Sequence, residues 1–396
     1  MKKVIIFTVL LSFNLSAFPQ SYITIDTNKI AVTITSKGKI GYNQNNYLQG
    51  VGITYNSGTT LMMCGGLLVG NSSASVDDNI YGSVLGTFDD DWYTTQTVHN
   101  VTPQLGASEE VEGVFNDSLA GISKLDITVK HRAFAWDTFP YDKFIVLEYN
   151  IKNTGFNSLN TLYAGIYIDW NISTPDSGSS DRANFDTANK MSYCYPSQGG
   201  TYAAIKSLTC NNVIIHHYAF DNDGSSNGTS YSLNILNGFS SYYKYQAIKT
   251  NRNSAGVFGT GNDVSDMISA GPFMLSPGDS TIIAFALIVG DSLADIQSSA
   301  IAANQVYCPP AGLSEYNSPK VDLSIEIYPN PVTNNITIET KQKPEIEILN
   351  IEGQIIKRLK IKDNKTDIDI SDFASGVYII KVQTEKGIMT GKFIKE

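Results

Sequence analysis

The sequence predicts an all-β protein: a large antiparallel β-sandwich with one late helix, followed by a small β-sandwich. Three observations support this fold class. Apolar and polar residues alternate in short runs, which is the pattern of strands with one buried face. Turns rich in glycine, serine and asparagine separate these runs. Apolar residues recur at helical spacing in one segment, residues 291–307, where Asp291 is the expected N-cap.

The start of the chain, residues 1–20, has the features of a secretory signal peptide. Lys2 and Lys3 form a positive start, and residues 4–11 form an apolar run that is too short to cross a bilayer. Ser16 and Ala17 are small residues that suit a cleavage site, so we expect cleavage between residues 17 and 20. No cysteine follows the apolar run to carry a lipid anchor, and no later segment is apolar enough to cross a membrane.

The main domain is expected to span residues 21–308. It opens with a hairpin of residues 22–27 and 30–36 around Asn28 and Lys29. The further strands predicted in its first half cover residues 38–42, 50–55, 60–70, 109–115, 122–132, 144–153 and 161–170. Residues 60–70 are strongly apolar, which predicts burial on both faces. The short polar turn between the last two strands predicts that they pair antiparallel.

The second half of the main domain begins after a polar loop, residues 171–184. Strands are predicted at residues 188–195, 201–208, 212–220, 271–275 and 281–289. The helix follows, and Cys308, Pro309 and Pro310 end it. Residues 309–320 hold three prolines among small polar residues and are the expected linker to the tail.

The tail, residues 321–396, predicts an Ig-like sandwich of seven short strands. These strands cover residues 324–328, 335–340, 345–350, 354–359, 368–371, 376–382 and 386–394. Their alternation predicts an inward set of Ile327, Ile336, Ile338, Ile346, Ile348, Val377, Ile379 and Phe393. This set is large enough to close a small core, so we expect the tail to fold as a separate unit.

Four motifs follow one another in the tail. They are Tyr328-Pro329-Asn330-Pro331, a turn that ends at Gly353, the strand with Gly376 and Tyr378, and the closing Lys392-Phe393-Ile394-Lys395. In these motifs the tail resembles the type A C-terminal sorting domain of type IX secretion cargo in the Bacteroidota. The resemblance implies that the type IX secretion machinery is a partner. It also implies export through the periplasm to the outer cell surface or the extracellular medium, usually with removal of the domain.

Short motifs of the main domain also follow a known pattern. They are Gly271-Pro272-Phe273, residues 277–280, residues 290–293, and Asp169-Trp170 at a strand end. In these motifs the main domain is similar to a non-catalytic β-domain of secreted Bacteroidota proteins. This resemblance brings no activity and no functional residues with it.

The charge and the missing motifs narrow the classes of function. Residues 21–320 carry 15 Lys and Arg against 26 Asp and Glu, a balance that disfavours nucleic acid and anionic lipid as partners. The chain has no HExxH zinc motif, and we expect no serine nucleophile elbow of the GxSxG type, which needs a strand-to-helix turn. We therefore expect exported cargo that acts as a non-catalytic secreted or cell-surface module and binds a glycan or a protein. The alternative is an extracellular hydrolase of glycosides or peptides with an unrecognised carboxylate site.

Carboxylates beside tryptophan at two places are the candidate ligand or carboxylate sites. Asp169 precedes Trp170, and Asp90 and Asp91 precede Trp92. Glycoside hydrolysis requires two carboxylates that flank one bond, and an aromatic ring beside them would suit a sugar. The alternative is that these aspartates only stabilise turns at strand ends by hydrogen bonds to the backbone.

Asp221 and Asp223 lie in a segment that begins like a calcium-binding loop. Gly224 comes too early for an EF-hand, and Ser232 stands where that loop has its glutamate. Asp and Asn oxygens of an irregular loop still suit calcium, which is the one cofactor that the sequence suggests. The alternative is a plain turn.

The four cysteines are Cys64, Cys194, Cys210 and Cys308, an even count that permits two disulfides in an exported chain. Cys194 and Cys210 flank a glycine turn, so a hairpin would bring them together and leave Cys64 with Cys308. The alternative is free buried thiols, because buried cysteine behaves as a small apolar residue.

Overall fold

A computed structural model describes two stretches of the chain. The first is residues 21–308 without 46–47, 174–179, 211–212 and 226–229, and the second is residues 325–396 without 341–344, 351–353, 361–364 and 385–386. The chain divides into two compact units, with the boundary between residues 312 and 313. The expected signal peptide and linker, residues 1–20 and 309–320, lie outside the described residues and stay predictions.

The first unit is built almost entirely from antiparallel strands, as the alternating pattern predicted. Its strands are β1 (Tyr22–Ile25), β2 (Ile30–Thr35), β3 (Ile53–Tyr55), β4 (Met62–Ser72), β5 (Ser75–Asp77), β6 (Tyr93–Asn100), β7 (Glu109–Asn116), β8 (Ile127–Ala135), β9 (Phe144–Asn153), β10 (Leu159–Trp170), β11 (Asp181–Asp186), β12 (Met191–Pro196), β13 (Tyr202–Ser207), β14 (Ile215–Asp221), β15 (Ser254–Ala255), β16 (Val264–Leu275) and β17 (Ser280–Gly290). Its α-helices, in the part described, are α1 (Ser241–Lys249) and α2 (Leu293–Tyr307). Neither of these is long and apolar enough to span a membrane.

Two large sheets of this unit pack face to face. One has nine strands in the order β15-β11-β12-β13-β17-β9-β8-β7-β6, and the other has five in the order β14-β16-β10-β4-β5. Alternate residues of each strand point into the space between the sheets, so Ile145 and Leu147 of β9 share one buried cluster with Ile166 and Ile168 of β10. A small third sheet of β1, β2 and β3 adds its apolar side chains to the same core.

Each helix covers the outer face of one large sheet. Ile296 and Ala300 of α2 lie in a buried cluster with Phe144 of the nine-stranded sheet. Ala247 of α1 lies in a separate cluster with Tyr167 of the five-stranded sheet. The central strands are therefore apolar on both faces, and the alternating pattern weakens there.

The sequence does not predict α1, because its segment is short and carries three tyrosines, which favour strands. Ser240 caps this helix by accepting a hydrogen bond from the backbone N–H of Tyr243 at 3.4 Å. Packing on the five-stranded sheet then outweighs the weak helix propensity. In α2 the N-cap is Ser292, which accepts from the backbone N–H of Asp295, so Asp291 lies outside the helix.

Strands β9 and β10 do not pair with each other, and the prediction from their short connection is wrong. β9 lies between β17 and β8 in the nine-stranded sheet, whereas β10 lies between β16 and β4 in the five-stranded sheet. The turn therefore carries the chain from one sheet to the other. Asn153 holds this turn, since its Nδ2 donates to the backbone carbonyls of Asn157 and Leu275 at 2.8 and 2.9 Å.

Cys210 and Cys308 form the disulfide, with their Cα atoms 5.5 Å apart, and Cys64 and Cys194 are free and buried. The predicted pairing is wrong because the β12–β13 hairpin aligns Cys194 with Ala203, while Cys210 lies beyond the end of β13. The free-thiol alternative holds for Cys64 and Cys194. The disulfide ties the end of α2 to the segment that follows β13.

The second unit is the predicted seven-stranded sandwich. Its strands are β18 (Ile325–Tyr328), β19 (Asn335–Thr340), β20 (Glu345–Asn350), β21 (Ile355–Lys360), β22 (Lys365–Asp369), β23 (Gly376–Thr384) and β24 (Gly387–Lys395). They form a three-stranded sheet, β18-β19-β22, and a four-stranded sheet, β21-β20-β23-β24. Ile336, Ile338, Ile346 and Ile348 are fully buried in its core, as predicted.

The inward face of β23 is the opposite of the predicted one. Val377 and Ile379 are 44% and 41% exposed, whereas Tyr378 and Ile380 are buried. Both faces of this strand carry large apolar residues, so alternation alone does not identify the inner face. Burial of the Tyr378 ring against Phe393, with the ring centroids 5.4 Å apart, decides the orientation.

Candidate functional site

A cavity of about 330 Å³ opens at one end of the five-stranded sheet. Asp169 in β10, Asn222 just after β14 and Asp263 just before β16 contribute to its lining, and we call these three residues the polar floor. Because β14, β16 and β10 are antiparallel neighbours, the ends of β10 and β14 meet the start of β16. Tyr167 and Phe220 lie two residues before floor residues and belong to the outer cluster, so strand alternation places the floor on that face.

Asp169 is held in one orientation and is only 7% exposed. Its Oδ2 accepts a hydrogen bond from the Tyr81 hydroxyl at 2.7 Å. Its Oδ1 lies 2.9 Å from the Ser265 hydroxyl and 3.3 Å from Nδ2 of Asn222. Ser265 is the direct partner of Asp169 in the β10–β16 register, so the sheet itself supplies this contact.

Asn222 joins the two carboxylates of the floor. Its Nδ2 donates to Oδ1 of Asp263 at 2.8 Å and lies 3.3 Å from Oδ1 of Asp169. The backbone N–H of Asn222 also donates to the backbone carbonyl of Asp263 at 3.0 Å. Among the described residues, no donor lies within hydrogen-bond distance of Oδ2 of Asp263.

The environment of the floor changes its acid–base chemistry. Burial raises the pKa of Asp169 to about 7, and the nearby charge of Asp263 contributes to the increase. Burial also raises the pKa of Asp263, although the hydrogen bond from Asn222 lowers it by a smaller amount. Asp169 therefore exchanges its proton near neutral pH, where an ordinary aspartate is fully ionised.

Two loops form an apolar rim around the polar floor. Val84 and Leu85 are 62% and 71% exposed, and Leu236 is 45% exposed. The loops meet where the backbone N–H of Phe239 donates to the backbone carbonyl of Gly82 at 2.8 Å. Exposed apolar side chains beside a few converging polar groups are typical of a ligand cavity.

Gly238 permits the close approach of the two rim loops. Its φ is +122°, and a Cβ at this position would lie 2.2 Å from the backbone carbonyl oxygen of Ser83. Glycine is required for both reasons: a side chain disfavours this φ, and the backbone of Ser83 leaves no room for one.

Lys244 of α1 anchors the loop that carries Val84 and Leu85. This lysine is fully buried, and its Nζ lies 2.7 and 2.8 Å from the two carboxylate oxygens of Asp78 and 2.7 Å from Asp89. Oxygens of Asp78, Asp89 and Asp91 lie within 4.8 Å of one another, and the lysine ammonium supplies the positive charge there.

Asp169 and Trp170, predicted from the sequence, both line the cavity. Trp170 is only 1% exposed, so most of its ring packs inside the protein. Its indole N–H has no hydrogen-bond partner among the described residues.

The structure does not bring the second predicted set to this cavity. Asp90 is exposed and pairs with Lys37 at 2.8 Å. Asp91 accepts a hydrogen bond from a loop N–H at 3.0 Å. Trp92 is fully buried against Phe115, with the ring centroids 5.0 Å apart, so it offers no ring face to solvent.

Asp221 points away from the floor, on the other side of β14. Its carboxylate accepts hydrogen bonds from Arg252 at 2.6 Å, from the Gly256 backbone at 3.0 Å and from Asn262 at 2.9 Å. Oδ1 of Asp223 lies 3.3 Å from the same Asn262 amide. An arginine therefore provides the positive charge at Asp221, and calcium binding by this pair stays a prediction.

Sequence reasoning identified Asp169 but missed Tyr81, Asn222 and Asp263. Strand parity offered one signal, because Asn222 continues the alternation of Phe220 past the end of β14. Nothing in the sequence indicates that β14 and β16 lie beside β10, since the contacts of Asp169 with Asn222 and Ser265 join positions 53 and 96 residues apart.

Three of the four tail motifs come together in the described part of the second unit. Nδ2 of Asn330 donates to the backbone carbonyl of Lys392 at 3.2 Å, and its Oδ1 accepts from the backbone N–H of Ile394 at 2.9 Å. Gly376 is the register partner of Lys395 in the β23–β24 pair, and Tyr378 is the partner of Phe393. The motif that follows β18 is therefore bound to the closing strand. Gly353 lies outside the described residues.

Among solved structures, the chain is similar to a bacterial glucoamylase in complex with acarbose, with 11% identity and a TM-score of 0.42 over 75% of this chain and 37% of that chain. It is also similar to a putative aldose 1-epimerase from Escherichia coli K12, with 10% identity and a TM-score of 0.34 over 68% and 99% of the two chains. A heparan sulfate lyase from Pedobacter heparinus has 8% identity and a TM-score of 0.34 over 86% and 41%. The chain thus spans less than half the length of the glucoamylase and the lyase.

No curated protein matches the chain. Residues 326–396 match a family model whose description is secretion system C-terminal sorting domain. This region lies within the second unit, residues 313–396, and contains all four tail motifs. The second unit is therefore a type IX secretion C-terminal sorting domain, and it implies that the chain is cargo of that secretion system.

Proposed function

We propose that the first unit is a non-catalytic module of secreted or surface-attached cargo, and that it binds a glycan in the cavity above the polar floor. The observation that carries this proposal is the combination of a floor of two carboxylates and an amide with an apolar rim, in one cavity of about 330 Å³. Sugar hydroxyls donate to carboxylates and accept from amides, while the C–H faces of a sugar ring suit apolar walls.

The size and the openness of the rim favour the end of a glycan over a long segment of one. A volume of about 330 Å³ is at the small end of ligand cavities. The exposed side chains of Leu85 and Leu236 would then pack against the sugar ring next to the bound terminus.

The bonding of Asp169 supports binding over catalysis. Both of its oxygens already have partners within the protein, namely Tyr81 on one oxygen and Ser265 with Asn222 on the other. A general acid or base must lie within hydrogen-bond distance of the substrate atom that it protonates or deprotonates. In the structure, both oxygens of Asp169 are hydrogen-bonded to protein groups instead.

A glycan array with the purified full chain tests this proposal. We expect binding that falls at least tenfold in Asn222→Ala, which removes the amide that joins the two carboxylates. The matched control is Asn157→Ala, which changes an exposed asparagine outside the cavity lining. The proposal would be contradicted if no glycan bound, or if Asn222→Ala bound glycan as tightly as the unmodified chain does.

Hydrolysis of a glycoside or a peptide is the second candidate function. It is favoured by one observation: the pKa of Asp169 is raised to about 7 beside a second carboxylate, Asp263. In such a pair the protonated carboxyl would serve as the acid and the other as base or nucleophile. Panels of glycosides and peptides separate the two functions. We expect no turnover, and turnover that disappears in Asp169→Asn would establish the hydrolase.

A further inference from the structure

We propose that the cavity selects saccharides that carry a free amino group and rejects those that carry carboxylate or sulfate. This inference rests on the proposed function and adds to it the charge of the ligand. It depends on three features of the cavity: its charge, the free oxygen of one carboxylate, and the apolar rim.

The two carboxylates of the polar floor have no opposite charge in the cavity lining. Asp169 and Asp263 line it, and the described lining includes no lysine, arginine or histidine. Two buried cations of this unit, Lys244 and Arg252, contact carboxylates that do not line the cavity. Two others, Lys39 and Lys206, do not line it either. A ligand cation would therefore meet the carboxylate of Asp263 without a competing cation in the described lining.

Asp263 offers the oxygen that a ligand ammonium would contact. Its Oδ1 accepts from Asn222, and its Oδ2 has no donor among the described residues. Asp263 is also the more accessible of the two carboxylates, half-buried where Asp169 is buried. An ammonium group donates charge-assisted hydrogen bonds, which are roughly twice as strong as the bonds that a neutral hydroxyl or amide donates.

The apolar rim increases the effect of this charge. Val84, Leu85 and Leu236 would exclude water from the mouth of an occupied cavity, and electrostatic interactions strengthen where water is excluded. The same rim would increase repulsion between the floor and an anionic ligand, because no described lining cation would offset it. Discrimination therefore acts in both directions, toward amines and against acids.

Calorimetry with the full chain and three matched probes tests the inference. The probes are short oligomers of glucosamine, of N-acetylglucosamine and of galacturonic acid, which present an amine, a neutral amide and a carboxylate. We expect the glucosamine oligomer to bind at least tenfold more tightly than the acetylated one, and the acid to bind least. Rising salt should weaken binding of the amine and leave binding of the neutral oligomer unchanged.

The variant Asp263→Asn keeps the shape of the side chain and removes the charge. We expect it to lose the preference for the amine and to keep its binding of the neutral oligomer, while Asp90→Asn, a carboxylate outside the cavity lining, keeps the preference. Equal binding of amine and neutral oligomers by the unmodified chain would overturn the inference and leave glycan binding intact. Failure of every saccharide to bind would overturn both. If Asp263→Asn does not fold, the salt dependence of the unmodified chain still tests the inference. Binding of the amine that does not weaken as salt rises would contradict it.

Discussion

At the residue scale, Lys244 is a buried charge whose loss should lower stability strongly. Its ammonium is fully buried and contacts Asp78 and Asp89, so removing it leaves carboxylates without a counter-charge in the interior. We expect Lys244→Met to lower the free energy of unfolding by about 3–5 kcal/mol, measured by urea titration. Lys249→Met on the same helix is the control. Its ammonium lies over the Tyr245 ring at 4.5 Å, so the cost should stay below about 1 kcal/mol. Equal losses in the two variants would contradict the role assigned to Lys244.

Asp169 should make stability depend on pH in a defined direction. Its pKa is about 7 in the folded chain and about 3.9 in an unfolded one, so between these values the folded state keeps a proton that the unfolded state releases. The contribution of this group therefore falls as pH rises from about 4 to about 7, by at most about 1.4 kcal/mol per pH unit, and is level above that. Asp169→Asn should remove this slope in urea titrations at a series of pH values. Parallel profiles for the two proteins would show that the carboxyl does not titrate as inferred.

At the element scale, the cavity depends on how closely two loops approach over the end of one sheet. We expect Gly238→Ala to push the rim loops apart, because its Cβ would stand 2.2 Å from the Ser83 carbonyl oxygen. The cost should be about 1–3 kcal/mol of stability, together with weaker glycan binding. Gly86→Ala is the matched control, since Gly86 also has a positive φ, +75°, but no atom lies within 4 Å of the position that an added methyl group would occupy. If both variants bind glycan and unfold alike, the positive φ of Gly238, and not its close contact with Ser83, explains why glycine is needed there.

At the scale of the whole molecule, the two units have separate tasks. The second unit matches the sorting domain, and the first carries the cavity. We expect deletion of residues 321–396 to leave the protein in the periplasm, because the truncated chain would lack the sorting domain. Fractionation of cells with an antibody to the first unit would measure this, with the full chain as control. Normal amounts of the truncated protein at the surface or in the medium would contradict the assignment.

The sequence by itself determined the features that depend on neighbouring residues. Alternation identified the seven strands of the tail, and the Tyr328-Pro329-Asn330-Pro331 motif with its companions identified the sorting domain. Alternation also identified β9 and β10 as strands, because a half-buried strand carries its pattern in consecutive residues. The sequence also singled out Asp169, which lines the cavity, because it stands beside Trp170 at a strand end.

Only the tertiary structure decided which strands are neighbours and which face is inside. Asp169 meets Asn222 and Asp263 because β14, β16 and β10 are adjacent in one sheet, although they are far apart in the chain. Cys210 pairs with Cys308 for the same kind of reason. Where both faces of a strand are apolar, as around Tyr378, local pattern does not distinguish inside from outside. The choice then depends on the summed burial of side chains from distant segments, which no short stretch of sequence contains.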